Sequence, residues 1–279
     1  LHRVDRRQRQ MCIRDSMSSH PEPRRFTPSN KNAPGFIDAE ARAHTAGAFQ
    51  KGASLYDDFR PTYPSPVAEL VDKAKTVIDV GAGTGKLTEL LVGDDRKVLA
   101  VDPSADMISV LRQRIPSVHA WQATAEATGL KAASVDAYVS AQTWHWVDIA
   151  AASAEADRVV VPEGQLMLCW NTLDVSHPWV LRYSRISHSG DVHREGFYPE
   201  VDKPWVLKDG LRMRWIQEAT PSDLFELAKT RSYWLRANPA TRAKVEANLE
   251  WYLYERLGFD EGDVIPLPYR TDAFVYERA

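Results

Sequence analysis

The sequence predicts an α/β protein built on an open, doubly wound sheet, and three observations carry that prediction. The first is Thr76-Val77-Ile78-Asp79-Val80-Gly81-Ala82-Gly83-Thr84-Gly85-Lys86-Leu87-Thr88, where a short apolar run stops at an acid and alternate glycines open a helical pattern. It reads as strand, tight turn and helix. The second is Val98-Leu99-Ala100-Val101, another buried-strand run, which ends at Asp102. That acid falls about twenty residues after the first glycine, where an open α/β sheet sets a carboxylate on a ribose hydroxyl pair. The third is the succession of strand-like runs that follows, at 118–121, 135–141 and 165–170, with a segment of helical period between the last two.

Glycine lets the turn take positive φ and approach a ligand closely, and a helix starting there points its free N–H groups at that ligand. A nucleotide-like ligand is expected. The dinucleotide fingerprint G-x-G-x-x-G would need its third glycine at the position of Lys86, whereas glycines stand at 81, 83 and 85 with Asp79 two residues ahead. This D-x-G-x-G-x-G pattern resembles the first motif of the class I S-adenosylmethionine (SAM) methyltransferases. The resemblance implies a Rossmann-like, seven-stranded mixed sheet of order 3-2-1-4-5-7-6, its last strand antiparallel, with helical cap elements. It implies SAM as cofactor, cradled by Gly81, Ala82, Gly83 and Gly85, with Asp79 facing its amino-acid end and Asp102 on its ribose. Ser104 is a good helix cap, which leaves Asp102 for the ribose.

Before this core the chain divides into three stretches. Residues 1–16 carry five Arg among few apolar residues, and Met11-Cys12-Ile13-Arg14-Asp15-Ser16 resembles translated adaptor sequence, so the natural start is expected at Met17. Residues 17–37 are rich in Pro, Ser, Asn and Arg and are expected to be disordered, and 38–279 is expected to be a single domain. Ala39 to Phe49 reads as a short helix. Tyr56-Asp57-Asp58-Phe59-Arg60-Pro61-Thr62-Tyr63-Pro64 resembles the Y-x-x-x-R-P-x-Y-P entrance of methyltransferases of the trans-aconitate type. The resemblance places Tyr56 as a closing side chain and Arg60 as a bidentate partner of the SAM carboxylate. Pro66 to Lys73 reads as a helix leading into the first strand.

After Asp102, Ser104 opens a helix through Arg114, and Met107 stands where this family packs an apolar side chain on the adenine. Thr124-Ala125-Glu126 resembles the stretch that passes the adenine edge in methyltransferases of the ubiquinone-biosynthesis type, with Ala125 and Glu126 beside the cofactor. Gly129-Leu130 replaces that family's usual leucine-proline. The fourth strand, Val135 to Ala141, runs into Gln142-Thr143-Trp144-His145-Trp146, which resembles the family's A-x-x-x-H-W ending, where methyl group and acceptor meet. Gln142 is therefore a cofactor contact. His145 is a candidate general base or acceptor-positioning residue, against a purely structural reading.

Asp148 to Val159 reads as an alanine-rich helix, Pro162-Glu163-Gly164 as a turn, and Gln165 to Trp170 as the fifth strand. Beyond Asn171 the pattern loosens. A helix over 177–188, an irregular lid-like loop over 189–203, a strand over 212–218, helices over 221–234 and 238–256, and a final strand over 271–277 are expected. Arg182, Arg185, His188, His193 and Arg194 form a candidate cluster for an acidic acceptor, weighed against a solvated charge run. Trp144, Trp146, Phe197 and Tyr198 are the apolar alternative.

The formal charge of the 279 residues is −3. Losing residues 1–16, with five Arg and two Asp, takes it to −6, which argues against nucleic acid as main partner. No apolar run reaches the roughly 18 residues of a membrane span. Two cysteines, Cys12 and Cys169, supply neither a metal cluster nor an internal disulfide framework, and a cytoplasmic setting fits. The predicted function is SAM-dependent methyl transfer to a small acceptor, at a carboxylate or hydroxyl oxygen. The alternatives are a noncatalytic partner protein of the same fold and a nicotinamide-dependent oxidoreductase, the latter disfavoured by the glycine spacing.

Overall fold

The computed structural model describes residues 57–189 and 193–279. The expected segments 1–16 and 17–37, the helix over 39–49 and Tyr56 lie outside the described residues. In chain order the elements are α1 (Pro66–Glu69), β1 (Thr76–Val80), α2 (Lys86–Leu91), β2 (Lys97–Asp102), α3 (Ala105–Arg114), β3 (His119–Gln122), β4 (Val135–Ala141), α4 (Ile149–Val159), β5 (Val160–Leu173), α5 (Pro178–Ile186), β6 (Trp205–Ala219), α6 (Pro221–Lys229), α7 (Ser232–Arg236), α8 (Pro239–Glu250) and β7 (Ile265–Arg278). A single 3-10 turn spans Trp144–Trp146, and a π-helical segment, Trp251–Arg256, continues α8. The seven strands form one sheet of order β3-β2-β1-β4-β5-β7-β6. β1 to β5 pair in parallel, and β7 runs antiparallel to both β5 and β6. This is the topology the resemblance implied.

The sheet buries both faces, as parallel strands require. Val77, Val98, Ala100, Val139 and Met167 pack with Leu87, Leu91, Ile108 and Leu111 of α2 and α3 on one side. Ile78, Val80, Leu99, Tyr138, Leu166 and Leu168 pack with Ala152, Ala156 and Val159 of α4 on the other. At roughly 1.5–3 kcal/mol for each fully buried aliphatic side chain, these two layers hold the frame on which the site rests. A third cluster joins α5, α6, α8 and the start of β7 through Val180, Tyr183, Leu224, Leu227, Leu249, Leu253 and Tyr269. It forms a cap beside the carboxyl ends of the parallel strands.

Several elements differ from the sequence expectation for local reasons. The helix expected to run from Pro66 to Lys73 is α1 only to Glu69, because Val71, Asp72 and Ala74 bond three residues back. Arg96 then takes the Val71 and Ala74 carbonyls at 2.8 and 3.1 Å. Pro162-Glu163-Gly164 lies within β5 as an irregularity, where Val135 pairs with Val160 but Ala137 pairs with Gln165. The single helix expected over 221–234 is split at Thr230. Its hydroxyl turns back to the Leu227 carbonyl at 2.7 Å, and Arg60 takes both its hydroxyl and its carbonyl.

The loop before β6, expected as an irregular lid-like loop, is held against the sheet in its described part. Phe197 and His193 are buried, and Arg212, Arg270 and Trp144 bond to the carbonyls of Phe197, His193 and Glu200. The described part of the loop is a wall laid over the sheet. β6 itself extends well beyond the expected 212–218 and alternates between exposed and half-buried residues as an edge strand should.

Candidate functional site

The carboxyl ends of β1, β2, β4 and β5 share one edge of the sheet, and the predicted site residues gather along it. At the end of β1 the backbone N–H groups of Gly81 and Ala82 donate to the Val101 carbonyl, tying the turn to β2. Gly81, with φ +71°, has the Thr143 side chain where its Cβ would stand, the nearest atom 2.2 Å away. Gly83, with φ +56°, has no atom of the described residues within 4 Å of that position. The two glycines thus have different causes: one makes room for a side chain of the protein, the other leaves its Cβ position clear of the described residues. Gly85 caps α2 and lies against Leu111 and Ile115 of α3.

Asp79 is 1% exposed. Its Oδ2 accepts from the Thr88 hydroxyl at 2.6 Å, while its Oδ1 is buried with no hydrogen-bond partner among the described residues. Burial is the main cause that pushes its pKa up to about 7, with the nearby Asp102 adding to it and Thr88 opposing. Asp102 is not left free by the Ser104 cap. Its Oδ2 accepts from Gly83 N at 2.9 Å and its Oδ1 from Ser104 N at 2.8 Å, while Ser104 Oγ caps Met107 N. Burial raises its pKa and the two backbone N–H groups oppose the rise. Each carboxylate oxygen has taken one donor and keeps a lone pair for another.

Met107 is buried at the first turn of α3. Ala125 is buried and its carbonyl accepts from the Tyr138 hydroxyl, whereas Glu126 Oε1 accepts from Asp148 N at the start of α4. Gln142 follows β4 with φ +55°, and its Nε2 donates to the Asn171 carbonyl. Arg60 donates from its Nε to Thr230 Oγ1 at 2.9 Å and from its Nη2 to the Thr230 carbonyl. It ties the entrance segment to the cap.

His145 stands on the 3-10 turn after β4, half-buried, and its Nδ1 accepts from Trp170 Nε1 at 3.3 Å. The candidate basic cluster occupies different environments. His193 is buried and stacked on Phe197 at 4.3 Å, His188 is stacked on Tyr233 at 3.7 Å, and Arg182, Arg185 and Arg194 are exposed.

Sequence reasoning passed over three groups of residues. Asp57 accepts from the Thr84 hydroxyl at 2.8 Å and pairs with Arg114 at 2.9 Å, fastening the entrance segment onto the glycine turn. Asn171 bonds to the Thr62 carbonyl and to Thr271, joining entrance, β5 and β7. Trp170 fixes His145. A polar Asn171 ending the apolar run of β5 was the one visible signal among them. Among the described residues no group of His, Cys, Asp and Glu is arranged to hold a metal ion, and no helix is long and apolar enough to cross a membrane.

Comparison with known proteins agrees with this geometry. Residues 78–168 match the family model described as a methyltransferase domain. An uncharacterized methyltransferase of Mycobacterium tuberculosis is 36% identical over 227 residues, covering 80% of this chain and 93% of that protein. A ubiquinone/menaquinone biosynthesis C-methyltransferase of Rubrivivax gelatinosus is 38% identical over 109 residues, 38% of this chain and 42% of that protein. The narrower likeness to the ubiquinone-biosynthesis type therefore rests on a short match. The fold is shared with a proposed type II methyltransferase of Anaeromyxobacter dehalogenans, at TM-score 0.55 and 22% identity over 79% of this chain and 98% of that one.

Proposed function

The chain belongs to the class I SAM-dependent methyltransferases, and from that premise we propose that it methylates a carboxylate or hydroxyl oxygen of a small-molecule acceptor. The observation that carries the site assignment is the pairing of Asp79, with a buried carboxylate oxygen lacking a partner, and Gly83, with open space over its Cα. SAM, when bound, supplies a methyl group on a sulfonium, which is already an excellent leaving group. The protein's own work is then alignment and exclusion of water, worth up to roughly 7–11 kcal/mol in well-oriented systems.

In this reading the Asp79 oxygen receives the cofactor's ammonium, and Asp102 receives ribose hydroxyls on the lone pairs left by Gly83 and Ser104. Met107 and Ala125 supply apolar surface for the base, and Gln142 with Asn171 bounds the site toward β5. Arg60, held by Thr230, serves the seam between entrance and cap. The acceptor lies between the Trp144–Trp146 turn and the cap.

Calorimetry with SAM, its demethylated product and NAD tests the cofactor assignment. Saturable heat with the first two and none with NAD is expected; micromolar NAD binding without a SAM signal would sink it. Mass spectrometry of small acids and alcohols incubated with isotopically labelled SAM then tests the acceptor class, and label found only on nitrogen or carbon would overturn the oxygen assignment.

A further inference from the structure

We propose that Glu155 of α4 is a positioning residue for the base of the cofactor: through Thr128 it fixes the loop 123–130 at the end of β3, where the base is bound. The proposal rests on the SAM assignment above and adds a residue that itself touches no cofactor.

Strand order gives the location. The sheet runs β3-β2-β1 on this side, and with the ammonium received at Asp79 of β1 and the ribose at Asp102 of β2, the remaining part of the molecule, its base, falls to the end of β3. The loop begins there. Asp102 pairs with Gln122, the last residue of β3, and the next residue, Ala123, donates its N–H to the Asp102 carbonyl at 3.2 Å.

The loop's own sequence does not make it rigid. It has no proline, and Gly129 takes φ +76°, so an unsupported loop would lose conformational entropy when a ligand orders it. Thr128 supplies the support with all three of its polar groups. Its N–H and its hydroxyl both donate to Glu155 Oε1, at 2.8 and 2.6 Å, and its carbonyl accepts from Trp121 Nε1 at 2.9 Å. Thr128 is fully buried and Glu155 is 7% exposed. A second tie to the same helix is Glu126 Oε1, which accepts from the N–H of its capping residue Asp148 at 2.9 Å.

Glu155 is held in turn. Arg158, three residues on, donates Nε to Oε2 at 2.7 Å and Nη2 to Oε1 at 2.8 Å. Burial alone would raise the carboxyl pKa, but the bonds from Arg158 and Thr128 hold it below its ordinary value, so Glu155 is charged at neutral pH. α4 is seated on the sheet by Ala152, Ala156 and Val159. Directed bonds to a charged acceptor specify one loop position, where an apolar contact would let the loop slide. The base subsite is thereby ordered before the cofactor arrives.

Calorimetry and NMR titration should compare S-adenosylhomocysteine with S-ribosylhomocysteine, the same molecule without its base. Glu155→Ala is expected to weaken the first about tenfold, the cost of reordering about one residue on binding, and to leave the second unchanged. Thr128→Val, which keeps the N–H and loses the hydroxyl, is expected to lose part of the same affinity, and Thr128→Ser to retain it. Combining Thr128→Val with Glu155→Ala should cost no more than Glu155→Ala alone, because both act through one contact. Equal losses for the two ligands would mark a general effect on the fold and overturn the proposal, as would native affinity for S-adenosylhomocysteine in Glu155→Ala. If Glu155→Ala does not fold, the two Thr128 variants decide by the same comparison. Failure of the native protein to bind S-adenosylhomocysteine would overturn the cofactor assignment and this proposal with it, whereas binding insensitive to Glu155 and Thr128 overturns this proposal alone.

Discussion

The glycine turn and the seam between entrance segment, β5 and cap lie along the same sheet edge, yet they are held together over very different distances in sequence. Around the turn, Thr88 reaches Asp79 across 9 residues and Gly83 reaches Asp102 across 19. Along the seam, Asn171 reaches Thr62 across 109 residues, Thr271 reaches Asn171 across 100 and Arg60 reaches Thr230 across 170. The first region is one supersecondary unit whose chemistry is written as a spacing. The second is assembled only after the whole chain has folded, and it is where the cap and the entrance segment meet.

Substitutions in the turn should separate folding from binding. The Cβ of Gly83→Val meets no atom of the described residues, so the variant should abolish SAM binding while costing stability the ~1–2 kcal/mol of a left-handed non-glycine residue. Gly81→Val collides with Thr143 and should lose both. Calorimetry and thermal melting on the same two variants check this, and SAM binding retained by Gly83→Val would break the comparison.

The next effect is one of pH. With the Asp79 pKa pushed up to about 7, SAM affinity should fall by about tenfold per pH unit below that value, as the carboxylate takes a proton. Stability runs the other way. A raised carboxyl pKa favours the folded state fully below the ordinary value of 3.8, and that contribution is lost as pH rises through about 7. Asp79→Asn should therefore melt higher than the native protein at pH 8 and bind SAM weakly at every pH. A steep pH dependence surviving in that variant would assign the titration elsewhere.

Smaller effects follow along the same axis. Asp102→Ala should weaken SAM binding by roughly 1–3 kcal/mol, because Gly83 N–H and the ribose lose an acceptor together. Thr230→Val should lower stability by about 1 kcal/mol through the loss of the Arg60 bond, with SAM affinity unaltered. A shift in SAM affinity there would show that the seam reaches the turn. Arg194→Ala, on an exposed side chain, should stay within about 0.5 kcal/mol in stability and leave the acceptor KM unchanged.

These contrasts explain what was legible in the sequence. The strands β1, β2 and β4 and their acids were readable because apolar runs, glycines and carboxylates lie within a short window. The split at Thr230 was not, because the residue that diverts its carbonyl, Arg60, is remote in sequence. The same holds for the loop before β6, which has the composition of a lid but is held down by Arg212 and Arg270 of strands that follow it. The bond of Arg60 to Thr230 was equally illegible, because a motif carries no information about a partner 170 residues away.

The way the cap is attached has a consequence for how such a protein can be altered. Ala219, the last residue of β6, and Ile265, the first of β7, face each other across the ladder, so the stretch 220–264 leaves the sheet and returns to it at a single rung. In protein-engineering terms this is a cassette with adjacent ends. Exchanging it for another helical insert requires no change in strand register and touches neither the glycine turn nor Asp102; it requires a new apolar cover for Leu173, Tyr183, Leu267 and Tyr269 and a new acceptor for Arg60 in place of Thr230. The cap can therefore be recombined as a block, while the glycine turn and Asp102 are inherited intact.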